Sequence, residues 1–194
     1  MLNKLNRLII IGFLIFFVSI NIAPESSINS AILSRAMNGE IIVSKIKTKH
    51  GPDGVKVVFC VEANKEDVWS TITDYNNFNN IFGNIQLKLI RENSKGAIVQ
   101  VSLLVFNYTL YHKYIIPGEK YTWSRTSGDL KTVSGSWLIL NTPKKNQQII
   151  EYTSFIDAGN DAYNLIAQYD IEKRGKETAI RLINYLKKNY PAKK

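Results

Sequence analysis

A single cysteine, Cys60, stands in 194 residues, so no disulfide can close within the chain. A lone thiol cannot assemble a zinc site with its neighbours either. Set in the apolar run Val57-Val58-Phe59-Cys60-Val61, it reads as a buried, inert thiol. Histidine is almost as scarce: His50 and His112 are far apart, which argues against a metal centre. Gly-x-Ser-x-Gly, His-Glu-x-x-His and phosphate-loop patterns are missing, so the common hydrolase and nucleotide chemistries have no carrier, and no cofactor is expected. Acidic residues are few beside basic ones, 16 against 25, giving a net charge of +9. The basic residues are dispersed except at Lys187, Lys188, Lys193 and Lys194, and no basic stripe alternates with aromatics. Nucleic acid is therefore not an expected partner. Repeats and low-complexity runs are lacking too.

What is present is enough for one folded domain. The chain is 45% hydrophobic and 11% aromatic, ordinary for a packed core. Met1–Ala23 pairs a positive start (Lys4, Arg7) with the apolar run Leu8–Ile20, the physical form of a secretory signal. Asn21-Ile22-Ala23 and Asn29-Ser30-Ala31 are alternative cleavage sites; without cleavage the segment remains as an N-terminal membrane anchor. The domain is expected outside the cytoplasm, periplasmic or tethered to the inner membrane. Pro24–Asn38 reads as a linker with a helical turn over Ala31–Met37.

The rest of the chain is organised around Val55–Phe82. Glu40–Thr48 and Val55–Glu62 form a hairpin across the turn residues Gly51-Pro52-Asp53-Gly54. Apolar residues on both faces make the second arm a central strand. Asn64 is placed to cap a short helix, with Glu66 and Asp67 at its positive end. Val68, Trp69 and Ile72 form its apolar stripe, and an Asn-rich bend with Phe78, Ile81 and Phe82 follows. Six strand-like runs come next: Ile85–Arg91, Ala97–Phe106, Tyr108–Ile116, Lys120–Arg125, Lys131–Leu140 and Gln148–Asp157, an antiparallel meander. Asp161–Asn189 then reads as one long helix, with Gly175 as a kink or weak point. This is an α+β layout. A strongly curved sheet wrapped around one helix leaves an apolar cavity between them.

The order Gly39-Glu40-Ile41-Ile42-Val43, Glu62-Ala63 ahead of Val68-Trp69, Asp74-Tyr75 with Phe78, Trp123, Ser127-Gly128-Asp129, Gly135-Ser136-Trp137 and Glu151-Tyr152 carries a resemblance. It is similar to the START-like polyketide cyclase/dehydrase and coenzyme-Q-binding group of the helix-grip (START/Bet v 1-like) superfamily, over Gly39–Tyr190. The resemblance implies a deep apolar pocket for a lipid, quinone or polyketide. Some relatives catalyse ring closure or dehydration, and many only bind or carry.

The cavity candidates are Trp69, Phe78, Tyr111, Tyr114, Trp123, Gly135, Trp137, Tyr152, Leu165 and Tyr169. Tryptophans anchor cores or stack on ligands, and phenols join an apolar body to a hydroxyl handle. Gly135, on the same strand face as Val133, Trp137 and Ile139, leaves room for a ring or for the closing helix. His112 is the acid/base candidate by type, on the face of Leu110 and Tyr114. Asp74 and Asp129 suit loop and turn amides. Glu151 faces water or pairs with a cation such as Arg125. The expected function is binding or transport of a hydrophobic small molecule by a monomer without covalent catalysis. A membrane surface is a second partner if the outer basic face of the last helix (Lys173, Arg174, Lys176, Arg181, Lys187, Lys188) rests on anionic lipid; a solvated face explains it too. Alternatives are a cyclase or dehydratase using His112 or Glu151 with a tyrosine, and a protein-interaction module. Admission of a ligand is expected to need movement of the small helices or of the Asn76–Asn84 bend.

Overall fold

The structure, a computed structural model, describes residues 28–49, 51–83, 85–103, 105–160, 164 and 171–191. The signal or anchor segment, His50, Leu165 and Tyr169 lie outside the described residues. The elements run in the order α1 (Ser30–Met37), β1 (Ile42–Ile46), β2 (Gly54–Val61), α2 (Lys65–Ile72), α3 (Phe78–Phe82), β3 (Gln86–Asn93), β4 (Gly96–Leu103), β5 (Phe106–Ile116), β6 (Lys120–Gly128), β7 (Thr132–Asn141), β8 (Gln148–Asp157) and α4 (Ile171–Asn189). All eight strands form one sheet in the order β1-β2-β8-β7-β6-β5-β4-β3, and every neighbouring pair is antiparallel.

Closing β8 onto β2 carries the meander back to the hairpin, so β2 becomes central and needs cover on both faces. Its inner side chains Val55, Val57, Phe59 and Val61 are buried in the main core. Its outer side chains Val58 and Cys60 pack with Ile149, Leu140 and the α1 residues Ile32, Leu33 and Ala36 in a second cluster. Each such apolar side chain contributes about 1.5–3 kcal/mol on full burial. The helical turn expected over Ala31–Met37 is helix α1, packed on the sheet and capped by Asn29, whose side chain accepts from the Ala31 amide at 2.8 Å. Arg35 of α1 also pairs with Glu40 at the start of the domain. The cap expected at Asn64 is present, accepting from the Asp67 amide at 2.7 Å.

Helix α4 lies across the inner face and packs mainly on β2 and α3. Its buried stripe Ile171, Gly175, Ala179, Leu182 and Leu186 follows helical spacing straight through the basic stretch. Gly175 is not a weak point. A Cβ there would meet Val57 Cγ2 at 2.9 Å and Val55 Cγ2 at 3.3 Å, so the missing side chain lets the unbroken helix sit directly on the strand. Helices α2 and α3 close one end of the sheet. Tyr121 at the start of β6 donates to the Ile72 carbonyl at 3.1 Å, satisfying a carbonyl that the end of α2 leaves free.

Candidate functional site

Between the inner face of the sheet and α4 lies a cavity of about 310 Å³, at the low end of the range for small-molecule sites. Its wall follows from strand alternation. β5 contributes Tyr108, Leu110 and His112, β6 Tyr121 and Trp123, β7 Val133 and Trp137, and β8 Tyr152, Ser154 and Ile156. The α3 end supplies Phe78 and Phe82, and α4 supplies Ile171, Arg174, Gly175, Glu177, Thr178 and Arg181. The polar groups of α4 gather at one side while aromatic rings line the depth.

Those rings form a continuous run. Phe78 and Phe82 pack at 4.2 Å between centroids, Phe82 and Trp137 at 5.8 Å, and Trp137 and Tyr152 at 4.6 Å. Tyr152 stacks on Trp123 at 5.8 Å and 26°, and His112 stacks on Tyr121 at 5.3 Å and 19°. Burial pushes the phenols of Tyr108, Tyr121 and Tyr152 above the ordinary tyrosine range, so all three stay neutral. Burial also lowers the His112 imidazole to about 3, because a cation there would lose its water. The wall is therefore uncharged apart from the α4 side.

Of the residues singled out in the sequence, Phe78, Trp123, Trp137 and Tyr152 stand together in this wall. Four others do not. Tyr111 points to the outer face, because β5 buries Tyr108, Leu110 and His112 and leaves the alternate residues outward. Trp69 sits in the α2 plug with edge contacts to Tyr114 at 5.4 Å and Tyr121 at 5.8 Å. Tyr114, on the inner face of β5, is drawn toward Glu92, to which it donates at 2.5 Å. Gly135 gives its space to a ring rather than to a ligand or helix: a Cβ would meet Trp123 Cζ2 at 2.2 Å and the Thr153 carbonyl oxygen at 2.2 Å.

The acidic candidates separate as well. Asp74 accepts from the Asn77 amide at 3.2 Å. Asp129 accepts from the Asn107 amide at 2.7 Å, joining the start of β5 to the turn after β6. Glu151 is on the outer face of β8, opposite Val58 and Leu138, and pairs with Lys56 at 3.3 Å. Arg125 is not its partner; that guanidinium donates to the Lys131 and Gly128 carbonyls. A cavity reaction through Glu151 is thereby removed. Among the described residues no group of His, Cys, Asp and Glu could hold a metal ion.

The sequence reading left Val101, Ser154 and Thr178 out of the cavity and set Arg174 and Arg181 on the outer face of the last helix, whereas both line the cavity. Alternation through Tyr152 would have given Ser154. Spacing from Ile171 would have given Arg174, Gly175 and Thr178, but a search for apolar stripes passes over a helix face that is partly polar.

Neither a protein-family model nor a curated protein sequence matches the chain. Solved structures do. The Zhui aromatase/cyclase from Streptomyces sp. R1128 superposes with a TM-score of 0.61 at 14% identity, over 72% of this chain and 96% of its own. A STAR-related lipid transfer protein from Xanthomonas axonopodis gives a TM-score of 0.62 at 13% identity, over 76% and 93%. A START superfamily protein from Mycobacterium smegmatis gives 0.54 at 12% identity, over 70% and 94%. The chain has the START-like helix-grip fold.

Proposed function

We propose that this protein binds and carries a hydrophobic small molecule in the cavity between the sheet and α4, outside the cytoplasm. The observation that supports the reading most is the aromatic and aliphatic wall itself, from Phe78 through Trp137 to Trp123. A ligand leaving water for that wall gains about 25 cal/mol per Å² of apolar area buried. The α4 side, with Arg174, Glu177, Thr178 and Arg181, offers polar groups to a ligand's wet end. The neighbours named for lipid transfer and for an aromatase/cyclase are consistent with a ligand of this kind. The extracytoplasmic setting rests on the pattern of Met1–Ala23.

Carriage is preferred over turnover on one chemical ground. His112 is the imidazole of the wall, and with its ring held near 3 by burial it is a weak base at neutral pH.

The way in is set by the α3 end. Asn77 Nδ2 donates to Tyr185 Oη of α4 at 2.6 Å, holding the bend that carries Phe78 and Phe82 against the helix. Breaking this clasp lets α3 swing from the cavity. The test is saturable uptake of a prenylated and acylated fluorophore panel by the full chain and by Val133→Phe, which projects a ring into the cavity. Uptake by the parent and loss in the folded variant support carriage. Equal uptake by both contradicts it.

A further inference from the structure

Helix α4 brings three charged side chains to the cavity, Arg174, Glu177 and Arg181, and every other lining residue among those described is uncharged. Helical spacing explains their place. Gly175, Ala179, Leu182 and Leu186 are the buried stripe, so Arg174, Thr178, Arg181 and Tyr185 form the next row of the helix surface. Arg174 and Thr178 are half-buried, and Glu177 and Arg181 are exposed. The head group of a ligand can therefore reach this row from solvent.

The two guanidinium groups occupy different places. Arg174 is near enough to the phenols of Tyr108 and Tyr152 to offset part of the rise that burial gives them, and it already has a partner. Arg181 stands at the α3 end. A Cβ at Gly83 would be 3.0 Å from its Cζ, 3.1 Å from Nη1 and 3.2 Å from Nη2, so the guanidinium lies face-on against bare backbone. Gly83 caps α3 with φ +81°, a conformation that favours glycine. The N–H bonds of a guanidinium lie in its plane, so they are directed along the cavity mouth and not at Gly83. Phe82 and Ile85, on either side of that glycine, line the cavity. Arg181 makes no hydrogen bond or ion pair among the described residues, and Glu177, one turn earlier, forms none with it.

Charge then selects among amphipathic ligands. Two guanidinium groups against one carboxylate leave the α4 side with a net charge of +1. The wall adds nothing to it, since burial keeps Tyr108, Tyr121 and Tyr152 protonated and His112 neutral. A neutral ligand leaves that charge unanswered, a cation meets repulsion, and a dianion exceeds it. An apolar body with one carboxylate matches it. The oxygens can accept a pair of N–H bonds from the planar guanidinium, while the body follows the run of rings that begins at Phe82. Both charges stay at the wet end of the cavity, so neither is buried unpaired.

We propose that the ligand of this cavity is an apolar carboxylic acid, bound as its monoanion with the carboxylate on Arg181 and the body along Phe82, Trp137 and Tyr152. The inference rests on the carrier reading and narrows it. Glu177 tempers the charge of the mouth without touching the ligand. A charge-assisted pair of this kind is worth about tenfold or more in affinity.

The test titrates 2-naphthoate, the neutral 2-acetonaphthone and the cation 2-naphthylmethylammonium at pH 7. It uses the full chain in phosphatidylcholine nanodiscs, with partition into empty nanodiscs subtracted. Burial alone favours the ketone, because a carboxylate resists leaving water. The expected result is naphthoate binding about tenfold tighter than the ketone, with the cation weakest. Arg181→Gln should remove the preference and leave the affinity for the ketone unchanged. Lys176→Gln makes the same charge change at an exposed position outside the cavity lining and should leave the preference intact. Glu177→Gln should tighten naphthoate severalfold, a gain that misfolding does not produce. Ketone binding as tightly as naphthoate, or equal losses in Arg181→Gln and Lys176→Gln, overturns the inference and leaves carriage standing. Failure of all three compounds to bind overturns the inference and counts against carriage as well.

Discussion

Replacing Gly135 with alanine tests how the wall is built. The added Cβ would stand 2.2 Å from Trp123 Cζ2, 2.6 Å from Trp123 Cε2 and 2.2 Å from the Thr153 carbonyl oxygen. Ordinary carbon contacts lie at about 3.5–4.0 Å, so the indole must retreat by more than about 1 Å. The carbonyl is backbone, fixed by the ladder between β7 and β8, and cannot rotate away. Trp123 is itself stacked on Tyr152 and tilted against His112 at 6.1 Å, so its retreat is into the cavity. Overpacking of this kind costs about 1–3 kcal/mol, and two simultaneous clashes put the expected loss at the upper end. For a domain of this size that is a fall in Tm of about 6–12 °C. Thermal unfolding followed by circular dichroism reads the loss, and tryptophan emission reads the displaced ring. An unchanged Tm together with unchanged emission would refute the packing of Trp123 on Gly135.

Three further expectations concern other parts of the molecule. Tyr185→Phe removes the acceptor for Asn77; it should cost about 1 kcal/mol and speed probe release in stopped-flow fluorescence, and an unaltered rate contradicts the clasp. His112 has a folded value near 3 against 6.5 when free, so the unfolded chain binds the extra proton; the group costs nothing above about pH 6.5 and destabilises increasingly as pH falls toward about 3, by up to about 5 kcal/mol. Urea midpoints from pH 7 to pH 4 should therefore fall more steeply in the parent than in His112→Phe, and parallel slopes would contradict the neutral buried ring. Burial, with a smaller effect from Glu62, pushes the Cys60 thiol up to about 11; maleimide labelling at pH 7 should run well below the rate of a free cysteine and accelerate in alkali, and rapid labelling at pH 7 would contradict its place under α1.

Periodicity made the sheet legible. β8 has the boundaries expected from sequence, and the inner face of β7 is the one alternation gives, because a strand with one buried face must alternate. The cap at Asn64 was legible for a local reason: its partner amide is three residues away. What the sequence did not disclose depends on contacts between distant segments. Gly175 reads as a break in a helix until Val55 and Val57 are placed under it. Gly135 reads as open space until Trp123 crosses over from the neighbouring strand. Glu92 carries no signal at all, since a regular strand would put Arg91 inside in its place and only a bulge in β3, where the register shifts between Leu89 and Arg91, reverses them. Tyr111 and Tyr114 entered the cavity set by residue type. Alternation already placed Tyr111 outside, and only the pairing of β3 with β4 and β4 with β5 shows why Tyr114 turns to Glu92.

The central claim is that the cavity holds a hydrophobic molecule, and native mass spectrometry of the full chain, isolated from its source cells and followed by organic extraction, tests it most directly. The account predicts one stoichiometric apolar compound. A protein that arrives empty and takes up none of the prenylated, acylated or naphthyl probes would contradict it and favour a groove for a partner protein instead.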